Sequence, residues 1–288
     1  NKWVTSDNWP PEDTIYVPYY ILEDGILDTI PPSSSGADTF LYNPENPCPT
    51  IGGREFVGMD AIGYGPKDQT PIESRSDVLV YSTPVLTAPV KVIGKLWFVL
   101  YASSDRFDTD FAVRVTDVYP DGRSILMTDN ILMARHRYGF ATEDSLIPGV
   151  VDTFKIDLWS TANVFNTGHR IRVIISSSNY PRFEKNPNTG APFVRDDLTT
   201  LIATNTVYHS PALASHLLLP IVSFDTSKII ASKNTMPEKI QLYCTPNPFN
   251  SSCAITAPAG TEVEIYDLRG RLVNKPSVFD FVESTSLV

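Results

Sequence analysis

Apolar and polar positions alternate along most of the chain, the period-2 signature of strands that lay one face on a core. Val90, Val92, Leu96, Phe98 and Leu100 share one parity, with Lys91 and Lys95 on the other. Phe111, Ala112 and Val113 run into Val115, with Arg114 and Thr116 reading as outward. Phe154, Ile156 and Leu158 alternate with Lys155 and Asp157, and Ile171, Val173 and Ile175 with Arg170 and Arg172. Pro120-Asp121-Gly122 ends the second run with turn chemistry, because Pro presets φ and Gly tolerates the left-handed region, so residues 111–128 predict a β-hairpin. No stretch repeats apolar residues at i, i+3, i+4 and i+7; only residues 195–204 predict a short helix. The fold class is all-β, a jelly-roll β-sandwich.

The alternation fades after Pro220-Ile221-Val222. Residues 223–239 are polar and aperiodic and predict a linker. Strands resume around Ile240-Gln241-Leu242-Tyr243 and Val263-Glu264-Ile265-Tyr266, which predicts a small second β module over 240–288. The sandwich itself is expected over 21–222.

Composition sharpens this picture. The chain of 288 residues with 42% hydrophobic content can bury a sizeable core. Its 24 prolines exceed the roughly 14 expected from average usage and favour short strands joined by ordered loops. A net charge of -10, with no stripe of Lys and Arg, argues against nucleic acid as a partner. No apolar run approaches the roughly 18 residues of a membrane span, and the first residues (NKWVTSDNWPP) lack the apolar core of a signal peptide. The start on Asn1 suggests a piece of a longer protein. Cys48, Cys244 and Cys253 form no C-x-x-C and have no His at zinc-ligand spacing, so no metal is expected. Cys244 and Cys253 either close a small loop in an oxidising compartment or remain two free buried thiols.

Candidate chemistry is sparse. The G-x-S-x-G elbow that exposes a nucleophilic serine is absent, and Gly122-Arg123-Ser124 reads as a solvated hairpin turn. Of the four histidines, His136 reads as a strand residue between Arg135 and Arg137, His169 as a turn residue, and His209 and His216 as packing residues. No catalytic triad can be assembled, no catalytic residue is assigned, and no cofactor is expected. Asp108-Thr109-Asp110-Phe111 could imitate a calcium loop but lacks the Gly and distal Glu of an EF-hand; a turn cap bonded to Arg170 or Arg172 fits better.

Several separated blocks carry a resemblance to a known family. They are Gly65-Pro66-Lys67-Asp68-Gln69 followed by Arg75-Ser76-Asp77-Val78-Leu79-Val80-Tyr81; Asp108-Thr109-Asp110-Phe111; Asp117-Val118-Tyr119-Pro120-Asp121-Gly122-Arg123; Gly168-His169-Arg170-Ile171; and Ser176-Ser177-Ser178-Asn179-Tyr180-Pro181-Arg182-Phe183 running to Asn186-Pro187-Asn188-Thr189-Gly190. Together with Ser215-His216-Leu217-Leu218-Leu219-Pro220 they resemble the C-terminal jelly roll of the CocE/NonD hydrolases, the cocaine-esterase and Xaa-Pro dipeptidyl-peptidase type.

The resemblance implies an upstream α/β-hydrolase domain that holds the Ser-His-Asp triad, and Trp3 to Pro10 (WVTSDNWP) is similar to the stretch after the catalytic His. Residues 1–20 are then a remnant of that connection. Small ester, amide or peptide substrates are implied, with this sandwich walling the cleft. Gly52-Gly53-Arg54-Glu55-Phe56 is similar to the loop that lends an apolar pair to the acyl pocket, which makes Glu55 and Phe56 the candidate substrate-pocket residues. The tail, with Thr245-Pro246-Asn247-Pro248-Phe249-Asn250 and then Val263-Glu264-Ile265-Tyr266-Asp267-Leu268-Arg269-Gly270-Arg271, resembles a type IX secretion sorting domain. That implies secretion machinery as a partner and a secreted or cell-surface protein. The competing reading is a free-standing carbohydrate-binding module of the galactose-binding-like kind, with Trp97 and Tyr101 as its aromatic platform.

Overall fold

The structure is a computed structural model that describes residues 6–54, 63–191 and 199–223, together with the backbone of five short strands nearer the C-terminus. The chain divides into two compact units, Asn1–Phe224 and Asp225–Val288.

The first unit is built from β1 (Thr14–Leu22), β2 (Ile26–Asp28), β3 (Ala37–Tyr42), β4 (Leu79–Ser82), β5 (Val90–Ser104), β6 (Asp110–Val118), β7 (Ser124–Met133), β8 (Asp152–Phe165), β9 (Arg170–Ser176), β10 (Ala203–Tyr208) and β11 (His216–Val222), with one helical turn, α1, at Thr70–Glu73. The strands join in the order β3-β10-β5-β11-β1-β2-β4-β9-β6-β7, and β8 pairs with β5. This path folds back so that its halves face each other across one core, where Phe111 of β6 meets Phe154 of β8 at 4.8 Å between ring centres. The protein is an all-β sandwich. β1 pairs with β11 from Thr14 onward, so residues 14–20, read from sequence as a connecting remnant, are strand.

The period-2 pattern explains the long strands. Along β5 the buried positions Val92, Leu96, Phe98 and Leu100 alternate with half-exposed ones, and β8 answers with Phe154, Ile156 and Leu158. Each fully buried apolar side chain of this size contributes about 1.5–3 kcal/mol. Gly94 keeps the buried parity but bears no side chain, because β11 carries Pro220 beside it: a Cβ there would come within 2.9 Å of the proline ring, so the close approach requires glycine.

β6 departs from the pattern. It is buried at every position, and Arg114 and Thr116, expected outward, are 1% and 0% exposed. The chain between β3 and β4 crosses the outer face of β4, β9 and β6, where Cys48, Ile72, Val78 and Ile174 form a second, smaller core. Parity along a strand reports which face a residue takes, not whether a distant segment covers that face.

Two further readings are corrected. His136 lies in a 3-10 turn at Ala134–His136 and not in a strand. Ala203 and Thr204 belong to β10 and not to a helix, and the preceding residues 195–198 lie outside the described residues.

In the second unit β12 (Tyr243–Thr245), β13 (Ala254–Thr256) and β16 (Thr285–Ser286) form a three-stranded antiparallel sheet, while β14 (Ile265–Tyr266) pairs with β15 (Leu272–Asn274). Cys253 lies outside the described residues, and with it the question of its pairing to Cys244.

Candidate functional site

Glu55 and Phe56 lie outside the described residues, but the chain on either side of their segment is held together. Gly53 and Gly65 exchange two backbone hydrogen bonds of 2.8 and 2.9 Å and so pin the chain on either side. Gly52 has φ +65°, and a Cβ on it would stand 2.5 Å from the Gly65 carbonyl oxygen, so no larger residue fits.

Beneath this foot is a polar network that joins five elements. Arg54 donates to the Asp129 carbonyl at 2.5 Å, and Arg182 binds both Asp129 carboxylate oxygens at 2.7 and 2.6 Å. Asn179 donates to Asp129 at 2.9 Å and accepts from Arg114, which also donates to Ser176. One buried carboxylate thus organises three guanidiniums, directly or through Asn179. Burial lowers the Arg54 pKa, an effect the nearby Asp129 opposes. A buried charge survives only when paired and hydrogen-bonded, which is the condition met here.

Trp159 stands over the same corner. Lys95 faces Ser160 and Trp97 faces Asp157, so Leu158 and Trp159 together oppose a single residue of β5, the definition of a bulge. The extra residue puts Trp159 at φ 66°, left-handed, with the residue 54% exposed and the Arg54 guanidinium 4.7 Å from the ring centre. Thr128 and Asn130 of β7 donate to the Leu158 and Asp157 carbonyls, which fixes the bulge against the facing strand.

A second network explains the Asp108-Thr109-Asp110 block. Asp108 accepts from the Arg135 backbone at 3.0 Å and from its guanidinium at 2.8 Å, so the partner is Arg135 and not Arg170 or Arg172. Asn186 donates to Asp108 and Asp110 at 2.9 and 2.8 Å, and the Tyr42 hydroxyl donates to the Asn186 carbonyl. Both carboxylates are occupied in clasping the 186–191 loop. Burial pushes the Asp110 pKa up to about 7.

The histidines are each taken by a structural partner. His169 pairs with Asp117 at 2.8 Å under Tyr119, His209 approaches Asp38 at 3.2 Å, and His216 bonds the Ala214 carbonyl at 2.8 Å. His136 packs on Phe140, 4.0 Å from Glu143. Ser124, expected in solvent, is fully buried and shares a 2.7 Å bond with Thr116. No serine hydroxyl bonds a histidine ring among the described residues. The Trp97 ring carries the ammonium groups of Lys95 and Lys155 at 4.4 and 4.5 Å, and these occupy the π surface that a sugar would need.

Sequence reasoning named Glu55 and Phe56 as pocket candidates but did not point to the residues that anchor the neighbouring Gly52-Gly53-Arg54 foot. Trp159 was invisible because a bulge has no period, whereas the polar run Thr128-Asp129-Asn130 inside an apolar strand was a usable signal for the Asp129 network.

The fold and site define an all-β sandwich whose polar interior anchors loops at one corner. Residues 1–218 match the family described as the X-Pro dipeptidyl-peptidase C-terminal non-catalytic domain, and the chain belongs to that family. It is 40% identical over 233 residues to cocaine esterase of Rhodococcus sp. (strain MB1 Bresler), covering 77% of this chain and 40% of that protein. Among solved structures it resembles an aminopeptidase from a marine-sediment Thaumarchaeota archaeon (TM-score 0.73, 30% identity, 77% of this chain and 39% of that one). It also resembles an α-amino acid ester hydrolase (TM-score 0.66, 28% identity, 71% and 36%). The chain spans about 40% of the length of these relatives.

Proposed function

We propose that this chain is the C-terminal part of a secreted serine hydrolase acting on small esters, amides or Xaa-Pro peptides, and that its sandwich walls the active-site cleft of an upstream α/β-hydrolase domain. The observation that carries the reading is the fixed foot at Gly52-Gly53-Arg54, pinned to Gly65 and to Asp129, from which Glu55 and Phe56 continue. A specificity wall must hold its side chains in place, because a displacement of about 1 Å is enough to weaken discrimination. In the same reading residues 240–288 address the protein to a secretion machine. Retention of the protein in the cell after deletion of 240–288 is the expected result, and undiminished export would remove that part.

The test uses the enzyme with its upstream domain. Phe56→Ala should change the ranking of acyl groups by kcat/KM, by about 1–3 kcal/mol between the most and least affected substrates. An equal slowing of every substrate would assign Phe56 to packing and refute the wall.

A further inference from the structure

A cleft of about 420 Å³ opens at the end of the sandwich where the β4–β5 connection, the β6–β7 turn and the start of β9 meet. Val85, Val118, Tyr119 and Pro120 form its walls, and Arg170 and Arg172 lie within it. The walls are held by backbone bonds: Gly168 to the Leu86 carbonyl and Leu86 to the His169 carbonyl, both 2.8 Å, and Gly122 to the Tyr119 carbonyl at 2.9 Å. Tyr119 is further fixed between the His169 ring at 4.4 Å and the Arg123 guanidinium at 5.0 Å. The cavity is therefore preformed.

Its charge is unbalanced. Arg170 and Arg172 are two residues apart on β9, so their side chains leave the same face. Glu73 balances Arg172, while Asp117 and Asp121 are paired to His169 and Arg123. Arg170 bonds only the Thr83 carbonyl, at 2.8 Å, and has no carboxylate partner among the described residues. A half-buried guanidinium left this way, in a chain of net charge -10, sets up a local positive field that an anion would neutralise.

We infer that this cleft binds a small organic carboxylate, with the carboxylate on the Arg170 guanidinium and a compact ring or branched body against Val85, Val118 and Pro120. The planar fork of a guanidinium matches a carboxylate, and the apolar walls favour a ligand that is charged at one end only. The inference does not depend on the hydrolase reading.

Amide spectra of the 288-residue chain, titrated with sodium benzoate at constant ionic strength, should show saturable shifts at Gly122 and Gly168. Benzyl alcohol, with the same body and no charge, should give none, and inorganic phosphate should bind more weakly than benzoate. Arg170→Gln should weaken benzoate roughly tenfold or more, the loss expected for a charge-assisted pair. Val85→Glu, at the wall residue that is itself partly exposed, places a carboxylate in the cleft and should weaken benzoate similarly without touching the Arg170–Thr83 bond. Absent shifts, an equal response to benzyl alcohol, tighter phosphate binding, or unchanged affinity in both variants would each overturn the assignment.

Discussion

Asp110 lies fully enclosed beside Asp108, with the Asn186 amide as donor, and burial raises its pKa from 3.8 to about 7. Between those two values the folded state holds a proton that the unfolded chain has released, so stability falls as pH rises through the window and the penalty is complete above about pH 7. A shift of this size corresponds to on the order of 4 kcal/mol at most. Asp110→Asn keeps the shape and the acceptor for Asn186 but does not titrate. Urea melts at pH 5 and pH 8 should therefore show the variant gaining on the parent at the higher pH by more than about 1 kcal/mol; parallel stability curves would mean that Asp110 does not carry the proton. The block around Asp110 could be picked out in the sequence, but its partner could not. Arg135 and Asn186 reach it from segments 27 and 76 to 78 residues away.

At the scale of single elements the β8 bulge carries a local cost, because a non-glycine residue in the left-handed region is disfavoured by about 1–2 kcal/mol. Trp159 occupies that conformation at φ 66°. Comparing two replacements separates backbone from ring: Trp159→Gly should melt higher than Trp159→Ala by an amount worth about 1 kcal/mol, since both lose the Arg54 contact and only alanine keeps the Cβ clash. Equal melting temperatures would show that the bulge relaxes once the ring is gone. β6 teaches the complementary lesson. Its alternation was legible, yet Arg114 is buried because the excursion between β3 and β4 is laid across it.

For the whole molecule, the strand path and core of the first unit are complete by Val222, the last residue of β11. A chain ending at Phe224 is accordingly expected to melt within about 2 °C of the 288-residue chain, given that about 1 kcal/mol shifts a domain of this size by roughly 2–4 °C. A larger drop in a calorimetric scan would mean that residues 225–288 contribute to the fold of the sandwich.

The sequence by itself determined the all-β class, the long strands β5, β6, β8 and β9, the hairpin turn at Pro120-Asp121-Gly122 and the absence of a serine elbow. Each of these is written in residues close together in the chain, as period, turn chemistry or motif. The tertiary structure decided what those local signals do not encode. It covered the second face of β6, recruited residues 14–20 into the sheet, buried Ser124, chose Arg135 over Arg170 and Arg172 for Asp108, and gathered Arg54, Arg114, Asn179 and Arg182 around Asp129. The physical reason is that a buried polar group takes whichever donor the folded chain delivers to it, and that delivery depends on contacts between segments far apart in sequence.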